Sequence, residues 1–349
     1  MAHEPDRKDS HLAIALEERV EFPSEDATGF GSLRFDHDAL PEIDRADVRT
    51  EVELFGKRLA LPLVVGAMTG GTPRAGEVNR RLAVAAERCG VGFALGSQRK
   101  MLAGPAARAS YAVREAAPGL PLLFGNLGAV QLNYGVGVSE LRHLVLDVGC
   151  DAFNFHLNPL QEVIQPEGDT RFGGLAAKLA AVVPEMGVPV LLKEVGAGIS
   201  ETTAQRIREI PVAGVETSGV GGTSWSRIES LRTGDPIQKS TGELFARWGI
   251  PTAESVATCR RILPDRVVIA SGGIRNGIEV AKALALGADA VALALPLLKA
   301  AERSTDAVVE AISRVAEELR TALFLTGCAT VGELRTRRLT RVRDLTAIP

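Results

Sequence analysis

From residue 60 onward the sequence repeats one unit: a short apolar run, a glycine or polar cluster, and an alanine-rich amphipathic stretch. The apolar runs are LPLVVGA (61–67), VGFALGS (91–97), PLLFGNLG (121–128), DAFNFHLN (151–158), VPVLLKEVG (188–196), AGVETSG (213–219), RVVIASGG (266–273) and ADAVALAL (288–295). They are rich in Val, Ile and Leu and do not alternate with polar residues, the pattern of parallel strands covered on both faces. Helical spacing falls between them, for example over Glu77 to Arg88, Gly173 to Pro184, Ser200 to Glu209, Thr252 to Leu263 and Ile278 to Leu286. Eight strands alternating with helices predict an α/β chain folded as a (β/α)8 TIM barrel. An open doubly wound sheet would carry Gly-x-Gly-x-x-Gly in its first turn. MTGGTPRAGE stands there instead.

Three regions lie outside the repeat. Residues 1–60 are polar and poor in core residues, and are read as an N-terminal extension that contributes to the substrate site. Residues 61–330 are the barrel, and 331–349 a C-terminal tail. Within the barrel, 223–250 interrupts the repeat after strand 6 and is read as a long loop, an active-site lid, around Thr233-Gly234-Asp235-Pro236. The tail's basic run RTRRLTRVR (335–343) has no interleaved aromatics, so a solvated surface or subunit contact is expected rather than a nucleic-acid arm.

Composition supports this division. Aromatics are 4% and glycine reaches 36 residues, about a tenth of the chain against a usual ~7%. A net charge of −3 gives no basic field for nucleic acid or an anionic membrane. Cys89, Cys150, Cys259 and Cys328 are far apart and form no metal or redox pair, which suits a reducing compartment. The start, MAHEPDRKDSH, is charged where a signal peptide would be apolar, and no apolar run reaches the ~18 residues of a membrane helix. A cytoplasmic protein is expected.

In such barrels the reacting groups stand at the C-terminal strand ends. Those ends carry Met68 and Thr69 on strand 1, Ser97, Gln98 and Arg99 on strand 2, and Asn126 on strand 3. His156 and Asn158 follow on strand 4, Lys193 and Glu194 on strand 5, Thr217 and Ser218 on strand 6. Consecutive glycines in SGGIRNG (271–277) let backbone N–H groups close on an anion, so a phosphate-bearing ligand is expected at strands 7 and 8. Lys193, in an otherwise apolar strand, has three readings. It is a Schiff-base nucleophile, a cation for the electron-rich edge of a flavin, or a strand-end lysine paired with Glu194. In HLNPLQE (156–162), Glu162 is a single hard ligand, enough for Mg²⁺ that completes its shell with water and phosphate. Arg7, Lys8 and His11 in RKDSH could fold over the mouth and grip a polyanion.

Taken in order, RKDSH, AMTGG (67–71), GSQR (96–99), GN (125–126), HLNPLQE, KEVGAG (193–198), GGTSW (221–225) and SGGIR (271–275) resemble the type 2, flavin-dependent isopentenyl-diphosphate Δ-isomerases. GGTSW and the His-x-Asn-x-x-Gln-Glu segment are the discriminating motifs, since SGGIR occurs in many FMN barrels. The resemblance covers nearly the whole chain. It implies that Ala67, Met68, Thr69, Ser97, Asn126, Lys193, Ser218 and Thr223 contact the flavin, and that Gly272, Gly273, Arg275, Ala294 and Leu295 hold its phosphate region. In the family a cationic residue often precedes the Pro-Leu after strand 8. Leu295-Pro296 stands here, so that contact is left to backbone. Arg7, Lys8, His11, Ser97, Arg99, His156, Asn158 and Gln161 would bind the substrate diphosphate, Glu162 would hold Mg²⁺, and Trp225 would border the isoprenyl pocket.

The function this implies is interconversion of isopentenyl and dimethylallyl diphosphate by protonation and deprotonation. N5 of reduced FMN would be the acid/base, with His156, Gln161 and Trp225 in support. NADPH or NADH would serve only to reduce the flavin, and a homotetramer or homo-octamer is implied. One alternative is an FMN-dependent 2-hydroxy-acid oxidoreductase, whose base is usually a late histidine, although no histidine follows His156. The others are a non-catalytic flavin-binding barrel and a Schiff-base lyase.

Overall fold

The computed structural model describes residues 7–17, 20–22 and 27–342. The first six residues of the N-terminal extension and residues 343–349 of the tail lie outside them. Eight parallel strands close into a barrel: β1 (Leu63–Val65), β2 (Gly92–Ala94), β3 (Leu123–Gly128), β4 (Ala152–Leu157), β5 (Val190–Glu194), β6 (Gly214–Glu216), β7 (Val267–Ala270) and β8 (Ala290–Leu293). The ring shuts where Val291, Ala292 and Leu293 pair with Leu63, Val64 and Val65. All eight fall inside the apolar runs of the sequence.

Period-two geometry explains why those runs are apolar throughout. Leu63 and Val65 of β1, like Phe153 and Phe155 of β4, face outward into the helical layer. Val64, Phe124, Ala152, Leu191 and Ile269 face inward and fill the lower barrel. Helix Pro73–Cys89 shows how local sequence sets the outer layer. Thr72 caps it by accepting from Ala75 N, Pro73 occupies the first turn, and Gly90 ends it in the left-handed region at φ 65. Ser200 likewise accepts from Thr203 N at 3.1 Å to start helix Glu201–Arg208, the cap the sequence suggests.

A hairpin of the N-terminal extension, Val52–Leu54 with Lys57–Leu59, plugs the barrel floor. Its turn residues Phe55 and Gly56 both have positive φ, which suits the twist of a two-residue hairpin. Leu54 and Leu59 pack into the interior cluster, and Phe55 meets Phe124 edge-on at 6.2 Å. In the tail, Leu339–Arg341 pairs antiparallel with Leu33–Phe35, and Arg335 ion-pairs with Asp289 at 2.7 Å. No helix among the described residues is long and apolar enough to cross a membrane.

Residues 223–250 depart from the loop expected there. They form helices Trp225–Arg232 and Pro236–Leu244, then a 3-10 turn at Phe245–Arg247. Ser224 caps the first, accepting from Arg227 N, and Asp235 caps the second, accepting from Ile237 N at 2.8 Å. Thr233 to Pro236, a turn signal in the sequence, is the corner between two helices rather than the tip of a loop.

Candidate active site

The C-terminal strand ends open into a cavity of about 190 Å³, where one buried water needs about 10–15 Å³ on the same scale. Helix Arg7–Glu17 of the extension roofs it, packed on helix Trp225–Arg232 through His11. All of the residues named above for flavin, substrate and metal line this single cavity.

The floor of the mouth is polar and oriented. Asn126 Nδ2 donates to Leu95 O at 3.0 Å, so its Oδ1 is left as acceptor for His156 Nδ1 at 2.9 Å. That fixes the histidine proton on Nδ1 and turns an unprotonated Nε2 away from Asn126. Burial, with the Lys8 and Lys193 charges, pushes the His156 pKa down to about 3, so the ring is neutral. Lys193 ion-pairs with Glu216 on β6, not with Glu194. The reason is strand geometry: neighbours on a strand face opposite ways. The Glu194 carboxylate instead gathers the backbone N–H groups of Gly196, Ala197 and Gly198 at 2.6–2.8 Å. Burial raises its pKa despite those donors.

Above the floor, the anion-binding candidates are braced from behind. Arg99 meets Asp169 at 2.6 Å, and Gln131 Nε2 donates to the same Asp169 oxygen at 2.8 Å. Asp169 N donates to Glu162 Oε2 at 2.7 Å, and Asn158 Nδ2 donates to Glu162 Oε1 at 2.8 Å. The Glu162 carboxylate is thus held at both oxygens while Asn158 Oδ1 is buried without a partner.

Glu229, fully buried on the inserted helix, ties roof to wall. Gln161 Nε2 donates to it at 3.0 Å and Arg232 Nε at 2.9 Å, and His11 Nε2 stands 3.0 Å away. With its amide turned to suit both neighbours, Gln165 donates to Glu229 at 3.2 Å and accepts from Arg7 at 2.8 Å. Burial alone would raise the Glu229 pKa, but the donors around it outweigh that and hold it low. His11 also meets the Trp225 ring edge-on at 5.3 Å.

On the β6–β8 side, backbone comes very close to backbone. A Cβ on Gly222 would lie 2.7 Å from Gly273 N, and one on Gly273 would lie 2.3 Å from the Gly221 carbonyl carbon. Ser218 adopts φ 53, an uncommon left-handed conformation for serine that clusters at functional sites. The Arg275 guanidinium turns to Glu21 of the extension. Glu229, Glu216, Asp169 and Gln165 were not singled out from the sequence. Only Glu216, at a strand end beside Thr217, carried a positional signal.

A closed parallel barrel with a glycine-walled mouth and a buried lysine beneath it defines the class: a (β/α)8 barrel with its ligand site at the C-terminal strand ends. The family described as FMN-dependent dehydrogenase matches residues 174–341. Mandelate oxidase structures share the fold: one with 3,3-difluoro-2-hydroxy-3-phenylpropionic acid superposes at TM-score 0.66 and 21% identity, covering 96% of this chain and 95% of that one. Closer in sequence are proteins named isopentenyl-diphosphate delta-isomerase. The one from Synechococcus sp. is 45% identical over 95% of this chain and 94% of its own. That from Paracoccus zeaxanthinifaciens is 44% identical over 95% and 97%. The chain belongs to the isopentenyl-diphosphate delta-isomerase family, in its FMN-dependent form.

Proposed function

We propose that this protein interconverts isopentenyl diphosphate and dimethylallyl diphosphate with reduced FMN, Mg²⁺ and a nicotinamide reductant for the flavin. The observation that carries the reading is convergence. An FMN-type floor and a cationic roof from the extension face each other across one cavity.

The residues present fit both groups. For FMN, Thr69 Oγ1 is buried and unpartnered at the end of β1, and Gly222 and Gly273 form a backbone cradle that any side chain would fill. Asn126, Lys193, Ser218 and Thr223 would hold the ring and ribityl chain. Gly272, Gly273, Arg275, Ala294 and Leu295 would hold the phosphate. For Mg²⁺, no three His, Cys, Asp or Glu side chains gather as a cage among the described residues. Glu162 and the unpartnered Asn158 Oδ1 would instead share the ion with water and substrate oxygens.

When bound, reduced FMN supplies a proton-exchanging nitrogen and an electron-rich ring that can face a tertiary cation. The chain's own residues do the rest. Arg7, Lys8, His11 and Arg99 grip the diphosphate, fixing its orientation and opposing loss of an allylic leaving group. Neutral His156 offers Nε2 as an acceptor. Trp225, Leu12 and Ile228 present apolar surface to the hydrocarbon end and exclude water from it. Gln161, whose Nε2 donates to Glu229 and whose Oε1 accepts from Asn158 Nδ2, is held firmly in the cavity wall beside the hydrocarbon end.

The test is a flavin spectrum of the purified protein, then isomerisation assayed with dithionite-reduced FMN and Mg²⁺. Turnover by flavin-free protein would overturn the cofactor assignment. The 2-hydroxy-acid oxidoreductase reading lacks its late histidine, since none follows His156.

A further inference from the structure

Lys193 and Glu216 are an unusual investment for a barrel interior. They stand directly opposite each other in the β5–β6 register, only 8% and 2% exposed, with Nζ bonded to Oε1. A buried ion pair is seldom more stable than a well-packed apolar pair of the same size. The barrel below has already used that alternative at Leu191, two residues before Lys193 on the same strand. The pair must therefore be explained by what it does at the mouth, where both residues line the cavity.

The register extends into a row. His156 of β4 lies opposite Lys193, and Glu216 lies opposite Ile269 of β7. Along that row Lys193 is flanked by a neutral imidazole on one side and by a carboxylate on the other. The carboxylate does two separable things. It draws the ammonium toward β6, fixing where on the cavity floor its N–H bonds point. It also cancels the charge, so a ligand resting on the floor meets a dipole rather than a bare cation.

We infer that Glu216 is a positioning residue acting through Lys193, and that the pair sets how strongly the site prefers reduced, electron-rich flavin over oxidised flavin. This rests on the reading of the cavity as a flavin site. A bare cation would favour the anionic reduced ring strongly, whereas the pair tempers that preference while keeping the hydrogen bond.

Three variants test it, read by the midpoint potential of bound flavin and by flavin affinity in each redox state, independently of turnover. Glu216→Gln keeps an acceptor for Nζ but removes the charge. It should raise the preference for reduced flavin about tenfold, which is about 30 mV for a two-electron couple. Glu216→Asp keeps the charge but withdraws it, and should give a smaller rise in the same direction, which covers failure of the Gln variant to fold. In a Lys193→Met background a residue that acts only through the ammonium has nothing left to act on. Adding Glu216→Gln there should leave the potential unchanged.

Wild-type potentials in both single variants would overturn the proposal, as would an equal rise with and without Lys193, which would mean that Glu216 acts on the flavin directly. A wild-type protein that binds no flavin would overturn the flavin reading itself, and the proposal with it. That result is separable, because it appears before any variant is made.

Discussion

Gly273→Ala isolates the glycine cradle proposed for the FMN phosphate. At φ 76, Gly273 is left-handed, and an alanine there costs about 1–2 kcal/mol from its Cβ alone. That Cβ would also lie 2.3 Å from the Gly221 carbonyl carbon, 2.4 Å from its oxygen and 2.6 Å from Thr28 Cγ2, where ordinary contact begins at 3.4 Å. Two of the three are backbone atoms that no rotamer can move, so the β7 loop must retreat by about an ångström, at the cost of about 1–3 kcal/mol typical of overpacking. Retreat would carry the loop's N–H groups away from the proposed phosphate position, and charge-assisted hydrogen bonds contribute about 1.5–3 kcal/mol each. FMN affinity should fall about a hundredfold, roughly 2.8 kcal/mol. Riboflavin, which lacks the phosphate, should lose less than tenfold. Flavin fluorescence titrations of apoprotein with both ligands, alongside thermal unfolding, measure the difference. Wild-type FMN affinity and melting in the variant would refute the steric argument. A parallel loss of riboflavin would show that the loop does not hold phosphate.

Other substitutions probe the remaining walls. Glu162→Gln places an amide N–H₂ against a donor at Asn158 or Asp169 N and removes the carboxylate proposed for Mg²⁺, so half-saturating Mg²⁺ in the rate assay should rise about 10–100-fold. An unshifted titration would move the metal elsewhere. Lys193→Ala should weaken flavin retention on gel filtration, and a fully yellow variant would count against its place under the ring. His156 is neutral in the fold, with its pKa at about 3, but titrates at 6.5 when unfolded. The unfolded chain therefore binds the extra proton, and the stability this site contributes is intact above pH 6.5 and lost progressively as pH falls toward 3. His156→Asn should flatten that acid slope in urea unfolding, and identical slopes would remove His156 as its source.

The barrel was legible because two-sided burial leaves a plain mark: runs such as VVIA and AVAL have no polar face to confuse them. Polar residues at the ends of such runs stood out for the same reason, and most of them gather in one cavity, while Gln98, Glu194 and Thr217 serve the wall behind it. Glu229 and Asp169 left no such mark. They lie on a helix and a loop, where a carboxylate is ordinarily solvated, and only the arrival of Gln161 or Arg99 from distant chain makes them part of the wall. Of the three sequence readings of Lys193, pairing with Glu194 fails because neighbours in sequence face opposite ways on a strand, and Glu216 is the partner instead. The inserted helices were hidden by Thr233 to Pro236, whose residues serve a helix corner as well as a loop.

The hairpin beneath the barrel has a consequence for traffic. Among the described residues, Leu54 and Leu59 fill the floor and helix Arg7–Glu17 covers the mouth, so passage is expected at the mouth, under that helix. A vessel with one opening imposes an order on its contents: whatever rests on the strand ends enters first and leaves last. A flavin seated on Lys193 would be retained through many turnovers, while the diphosphate, held nearer the rim, comes and goes past the roof. Retention of the cofactor would then owe as much to the stopper at the far end of the barrel as to the residues that touch it.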